Sequence, residues 1–270
     1  MADPAIRIDV LTLFPALFDG FLGESILRRA IDKGLVAVRL WNLRDWAEGK
    51  HRQVDDRPFG GGPGMVLMAP PVVAAVEAVR GSGEVPGRLI AMTPQGQTLT
   101  QDRVRDLARE PRLVLLCGRY EGFDERILEV LGPELLSIGD YVLSGGEVAA
   151  MVVIDSVMRL IPGVLGDAES AEDESFGPEG GLEYPHYTRP REYRGRAVPD
   201  ILLGGDHAAI DRWRRGQSRD RTRARRTDLV IPEADRPGTA RSTSHTQNQP
   251  HGPHEPPGEP GEPDRAEGMG

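Results

Sequence analysis

The sequence predicts an α/β domain built on a mostly parallel sheet, followed by a small helical C-terminal unit and a tail too polar to order itself. Three observations carry this. Strand-like and helix-like segments alternate over the first 165 residues. One strand, Leu113-Val114-Leu115-Leu116, is continuously apolar, as expected of a strand covered on both faces. Beyond residue 165 the pattern changes to an acidic stretch, an arginine-rich unit and then Pro, Gly, Glu, His and Ser.

The elements follow in order. Ile6 to Leu13 reads as the first strand, and Gly20 to Asp32 as a helix closed by Gly34. Leu35 to Trp41 alternates like a strand. The segment Asp55-Asp56-Arg57-Pro58-Phe59-Gly60-Gly61-Gly62-Pro63-Gly64-Met65 fits neither period and has the composition of either a mobile lid or a solvated surface loop. Pro70-Pro71 opens a helix through Val79, because proline is tolerated in a first turn. Leu89 to Met92 is a short strand ending in the loop Thr93-Pro94-Gln95-Gly96. Thr100 caps a helix through Arg109 whose first turn holds Asp102. The apolar strand ends in Cys117-Gly118-Arg119-Tyr120-Glu121-Gly122, and a helix runs from Glu125 to Leu131. A further strand enters Ser137-Ile138-Gly139-Asp140-Tyr141-Val142-Leu143-Ser144-Gly145-Gly146-Glu147, after which a helix continues from Glu147 to Leu160. Domain 1–165 is thus followed by a linker, 166–185, and a unit over 186–231 whose best helix is Asp206 to Gln217, with Ile210 and Trp213 on one face. The tail, 232–270, lacks the large apolar residues that ordering requires.

Composition limits the setting and the chemistry. The single cysteine, Cys117, excludes an internal disulfide framework and ends a buried strand without an adjacent histidine, so it reads as a core residue. The six histidines show no i, i+4 pairing on a helix, and no zinc site is expected. No signal peptide and no apolar run near the roughly 18 residues of a membrane span are apparent, which points to the cytoplasm and away from a membrane. The net charge of −9 argues against a nucleic-acid partner only as a sum, since the arginines concentrate between Arg189 and Arg226. Arginine without matching lysine suits bidentate recognition of phosphate, although such a cluster also serves as a solvated face.

Three glycine-containing loops follow strands at their C-terminal ends: Thr93 to Gly96, Gly118 to Gly122 and Ile138 to Gly146. In open α/β sheets ligands bind there. Neither a G-x-G-x-x-G after the first strand nor a G-x-x-x-x-G-K-[ST] is present, which disfavours ordinary dinucleotide and P-loop enzymes. The occupant of the pocket stays open on these grounds, and the acidic pair Asp173-Glu174 reads by composition as part of a solvated linker.

The blocks Asp55–Met65, Cys117–Gly122, Ser137–Glu147, Ile161-Pro162-Gly163-Val164-Leu165-Gly166 and Pro185-His186-Tyr187-Thr188-Arg189-Pro190 resemble the bacterial tRNA (guanine-37-N1)-methyltransferases, the TrmD family, in collinear order over about residues 5 to 231. The resemblance implies a SPOUT-type α/β domain whose C-terminal part passes through a deep trefoil knot, a topology that patterning does not reveal. It implies a homodimer with shared active sites, methylating N1 of guanosine at position 37 in the tRNA anticodon stem-loop. By position, Met92, Thr93, Pro94, Gln95, Gly96, Gly118, Tyr120, Glu121, Ile138, Gly139, Asp140, Tyr141, Val142 and Leu143 would hold S-adenosylmethionine. Arg159 matches a family arginine that acts on the guanine, and Mg²⁺ is implied without ligands that can be named here. The family's general base is an aspartate in a pattern like E-D-S-F; this chain reads Asp173-Glu174-Ser175-Phe176, which places Glu174 at that position with Asp173 beside it. A carboxylate there is the natural acceptor for the guanine N1 proton.

Overall fold

The continuous apolar run at residues 113–116 lies inside a five-stranded sheet, every pairing of which is parallel. The computed structural model describes residues 4–166, 174–177 and 180–230. The strands are β1 (Ile6–Thr12), β2 (Val36–Asn42), β5 (Arg88–Thr98), β6 (Arg112–Cys117) and β7 (Glu134–Ser137), in the order β2-β1-β6-β5-β7. Between β2 and β5 the chain forms a small antiparallel pair, β3 (Asp55–Asp56) and β4 (Val66–Leu67). Helices cover both faces, as a parallel sheet requires.

Side chains of period two divide the core. Ile6, Ile8 and Val10 of β1, with Leu113, Leu115 and Cys117 of β6, pack against α2 (Ser25–Asp32), α4 (Gln101–Leu107) and α6 (Gly146–Met158). The alternate residues Leu11, Val114 and Leu116 face α3 (Ala69–Gly81) and α5 (Glu125–Leu131). Each fully buried Leu or Ile contributes roughly 1.5–3 kcal/mol relative to exposure. In the middle of β1, buried Asp9 accepts from Trp41 Nε1, Arg112 Nε and Arg7 Nη2 at 2.8, 2.8 and 2.9 Å, so the buried carboxylate is paired.

Most boundaries agree with the sequence to within two or three residues, and Asp124 and Thr100 cap their helices as side-chain acceptors. Three differences have physical causes. The helix expected from Gly20 to Asp32 is divided into α1 (Asp19–Leu22) and α2 by Gly23 and Glu24. The loop expected at Thr93 to Gly96 is a bulge within β5: Met92 and Gln97 both pair with Leu136, and the intervening residues leave the ladder. Pro94 has no N–H to give to a ladder, which suits it to this excursion. The C-terminal helix α7 extends over His207–Arg225, beyond the expected Gln217, with Asp206 accepting from Ala209 N at its start. Its second half carries arginines on nearly every turn, so no apolar period marks its length, yet Thr222 is buried beneath it. A two-residue hairpin, β8 (Glu192–Tyr193) with β9 (Arg196–Ala197), precedes α7 and carries no sequence signal beyond Gly195.

Residues 180–184, read above as part of a linker, are tied to α7. Thr222 Oγ1 accepts from Leu182 N at 2.8 Å, and Ser218 Oγ donates to Leu182 O at 2.6 Å. Among the described residues no helix is long and apolar enough to cross a membrane.

Candidate active site

The parallel ladder delivers the ends of β5, β6 and β7 to one edge of the sheet, and the loops that leave them enclose a cleft of about 340 Å³. The volume falls within the range of small-molecule sites. Met92, Thr93, Pro94 and Gln95 form one wall, Gly118, Tyr120 and Glu121 a second, and Ile138, Gly139, Tyr141, Val142 and Leu143 a third. Two predicted residues do not line it. Asp140 is exposed and is not among the residues that line the cleft. Gly96 lies against the backbone of β7, where an added Cβ would stand 2.2 Å from Leu136 N.

The lining also includes Arg119, Phe123, Leu128, Leu136, Ser137 and Ala149. Arg119 and Ser137 lie inside the glycine-containing motifs, so adjacency would have found them. Phe123, Leu128 and Ala149 sit on the following turn and helices and became part of the site only through packing. Apolar Leu136, Ile138, Leu143 and Ala149 offer surface for a flat ring, while Thr93, Gln95, Glu121 and Ser137 offer polar groups. This mixture suits a small ligand that carries both a flat ring and polar groups.

The glycine-rich segment after β3 leans on the same cleft. Glu121 N donates to Met65 O at 2.9 Å, and the Glu121 side chain packs against Gly64. Phe59, at the far end of that segment, is 100% exposed. Cys117 is buried at the end of β6, and burial, reinforced by the nearby Glu147 charge, pushes its thiol well above the ordinary range. A protonated, inaccessible thiol is inert, as the sequence suggested.

Arg159, immediately after α6, and Glu174 meet as a two-pronged ion pair: Nη1 donates to Oε2 at 2.5 Å and Nη2 to Oε1 at 2.6 Å. The pair raises the guanidinium pKa, chiefly through these hydrogen bonds. Neither residue lines the cleft of its own chain. Glu174 instead borders a more polar depression of about 300 Å³ with Tyr184, Arg214, Arg215 and Ser218. Arg214 lies over the Tyr184 ring at 4.8 Å. The turn carrying Glu174 is held by Arg105 Nη2, which donates to Phe176 O at 2.6 Å. Asp173 lies outside the described residues. Among the described residues no three His, Cys, Asp or Glu side chains converge as a metal site, and no ligand for Mg²⁺ is assigned.

Fold and cleft together define a parallel-sheet α/β protein with an open cleft at the carboxyl ends of its strands, where ligands bind in sheets of this kind. Comparison with known proteins narrows the class. The family described as tRNA (Guanine-1)-methyltransferase TrmD matches residues 6–232, and the chain belongs to it. A protein of Rhodopirellula baltica named tRNA (guanine-N(1)-)-methyltransferase is 59% identical over 230 residues, covering 84% of this chain and 95% of that protein. Proteins of the same name from Thermomicrobium roseum and Geobacillus kaustophilus are 56% and 53% identical, covering 85% and 83% of this chain and 85% and 91% of their own lengths.

Proposed function

We propose that this chain, as a homodimer in the cytoplasm, transfers the methyl group of S-adenosylmethionine to N1 of guanosine 37 in the tRNA anticodon stem-loop. The observation that carries the reading is the cleft formed by three loops at the carboxyl edge of a parallel sheet, in a chain that belongs to the tRNA (Guanine-1)-methyltransferase family. Residues 1–165 are the donor-binding domain, of the SPOUT type. A deep trefoil knot in its C-terminal part is what the family resemblance implies, and the loops concerned touch: Gly146 N donates to Gly118 O at 2.7 Å. Residues 166–185 join this domain to the tRNA-binding unit, 186–231.

The homodimer is supported by α6. One face buries Ala150, Val153, Ile154 and Val157, while Val148 and Val152, a turn apart on the other face, are 53% and 41% exposed. Val142, on the adjoining loop, is 86% exposed. A helix apolar on both faces belongs in the interior of something larger. The position of Glu174 agrees: it does not line its own chain's cleft, so the donor of one protomer would be served by Glu174 of the partner subunit.

The bound donor supplies an electrophilic methyl group on a sulfonium. The chain's residues do the rest. The cleft walls would hold the donor, and the exposed arginines of α7 would grip anticodon-stem phosphates. The target guanine enters from a loop where bases are readily splayed out. Arg159 lies against the guanine, and Glu174 accepts the N1 proton as the methyl arrives, so neutral product leaves with no charge stranded on the ring. Glu174 must first give up its two hydrogen bonds to Arg159, and Asp173 is the alternative acceptor next to it.

The test is single-turnover methyl transfer to an unmodified tRNA transcript with guanosine at 36 and 37, with the product identified by mass spectrometry. 1-Methylguanosine at position 37 is expected, and Glu174→Gln should slow transfer by about 10²- to 10⁴-fold at unchanged donor affinity. A different modified nucleoside would overturn the reading. Full-speed transfer by Glu174→Gln would shift the base role to Asp173, and retained speed in Asp173→Asn as well would remove both.

A further inference from the structure

Among the described residues Glu147 is the one acidic side chain buried at the carboxyl edge of the sheet, 1% exposed, and the mechanism above does not use it. It lies in the first turn of α6, where the helix dipole favours a negative group. Its two oxygens reach different elements. Oε1 accepts from Thr12 Oγ1, at the end of β1, at 2.7 Å. Oε2 accepts from Arg119 Nε, in the loop after β6, at 2.8 Å.

Arg119 carries this connection into the cleft wall. Its Nη1 donates to Ser144 O at 3.2 Å, its side chain lies flat on Gly145, and its guanidinium covers the Phe14 ring at 4.6 Å. A Cβ at Gly145 would stand 2.2 Å from Arg119 Nε, so no other residue admits the arginine so closely. Arg119 therefore clamps two of the three donor-binding loops together, and Glu147 is the group that sets its orientation from below.

We infer that Glu147 is a positioning residue for donor binding, acting through Arg119 to hold the loops after β6 and β7 at the separation the donor requires. The inference rests on the methyl-donor reading of the cleft. A neutral amide at 147 keeps the shape but not the charge, and its single acceptor oxygen cannot serve both Thr12 Oγ1 and Arg119 Nε. Arg119 is then free to leave Gly145, and the two loops separate.

The experiment is a double-mutant cycle with Glu147→Gln and Arg119→Lys, read as S-adenosylmethionine affinity by calorimetry on the full chain. Wild type must bind; if it does not, the methyl-donor reading itself fails. Given binding, each single variant is expected to weaken affinity by about tenfold or more, and the double variant by no more than about twofold beyond the weaker single. The KM for the donor should rise by more than turnover at saturating donor falls, a split that general loss of structure would not produce. Wild-type affinity in Glu147→Gln, or losses that simply multiply in the double variant, would overturn the inference. Should Glu147→Gln not fold, Arg119→Lys decides, because its side chain is partly solvent-facing; unchanged donor affinity there would overturn it equally.

Discussion

Replacing Gly96 by alanine tests the link between sheet geometry and the cleft most directly. The added Cβ would stand 2.2 Å from Leu136 N, 2.3 Å from the Leu135 carbonyl carbon and 2.5 Å from Leu135 O. All three are backbone atoms of β7, so no rotamer change relieves the overlap. Ordinary contact requires the strands to part by about 1.2 Å at this point. Gly96 closes the bulge that thrusts Thr93, Pro94 and Gln95 into the cleft, while Leu136 leads directly to Ser137 and Ile138 on the facing wall. Parting the strands therefore moves two walls at once. A misplacement of about 1 Å is worth on the order of 100-fold in catalysis, and overpacking of this kind destabilises by about 1–3 kcal/mol. Gly96→Ala is expected to lower kcat/KM for the donor by roughly 100-fold. Its Tm should fall by several degrees, about 2–4 °C per kcal/mol for a domain of this size. Donor titration and thermal unfolding measure the two separately. A variant that binds donor within threefold of wild type would refute the argument that this close approach shapes the cleft.

Other perturbations act away from the cleft. Asp124 caps α5 by accepting from Arg126 N at 3.0 Å, and Asp124→Ala should destabilise by about 1 kcal/mol in urea unfolding. The hydrogen bonds from the Arg126 side chain hold the Asp124 carboxyl below its ordinary range, so its contribution is complete above about pH 4 and is lost as pH falls through the lower folded value. The stability gap between wild type and Asp124→Ala should thus be constant from neutral to mildly acid pH and close only below that point. Thr222→Val removes the acceptor for Leu182 N and leaves a part-buried N–H unpaired, which should cost about 1 kcal/mol and speed proteolysis near residues 180–184. Arg219→Ala and Arg223→Ala, on exposed positions of α7, should each reduce the slope of log K for tRNA against log salt by about 0.7–0.9 without altering donor affinity; an unchanged slope would remove α7 from the phosphate contacts.

Much of the sheet was legible because its determinants are local. The run Leu113–Leu116 has no polar alternation, and only a strand covered on both faces tolerates that. Capping by Thr100 depends on a side chain reaching its own following turn, so sequence neighbours suffice. The bulge at Thr93–Gly96 was harder, because Pro94 and Gly96 look alike in a loop and in an interrupted strand; only pairing to Leu136 on both sides tells them apart. The extent of α7 was hidden for the opposite reason. Its arginines give no period, and it is held by Thr222 and Ser218 bonding to Leu182, about forty positions earlier in the chain.

The site divides in the same way. The glycine-containing motifs and their position after successive strands are properties of short segments, and they contain most of the residues that line the cleft, though Gly96 and Asp140 do not line it. Sequence order also placed Glu174 fifteen positions after Arg159 but was silent on their contact. Only the tertiary structure joined them as an ion pair, kept them out of the cleft of their own chain, and brought Thr12, Arg119 and Glu147 together across 135 positions. Local chemistry is written residue by residue, whereas the partner of a buried charge is chosen by which strand ends the sheet order sets side by side.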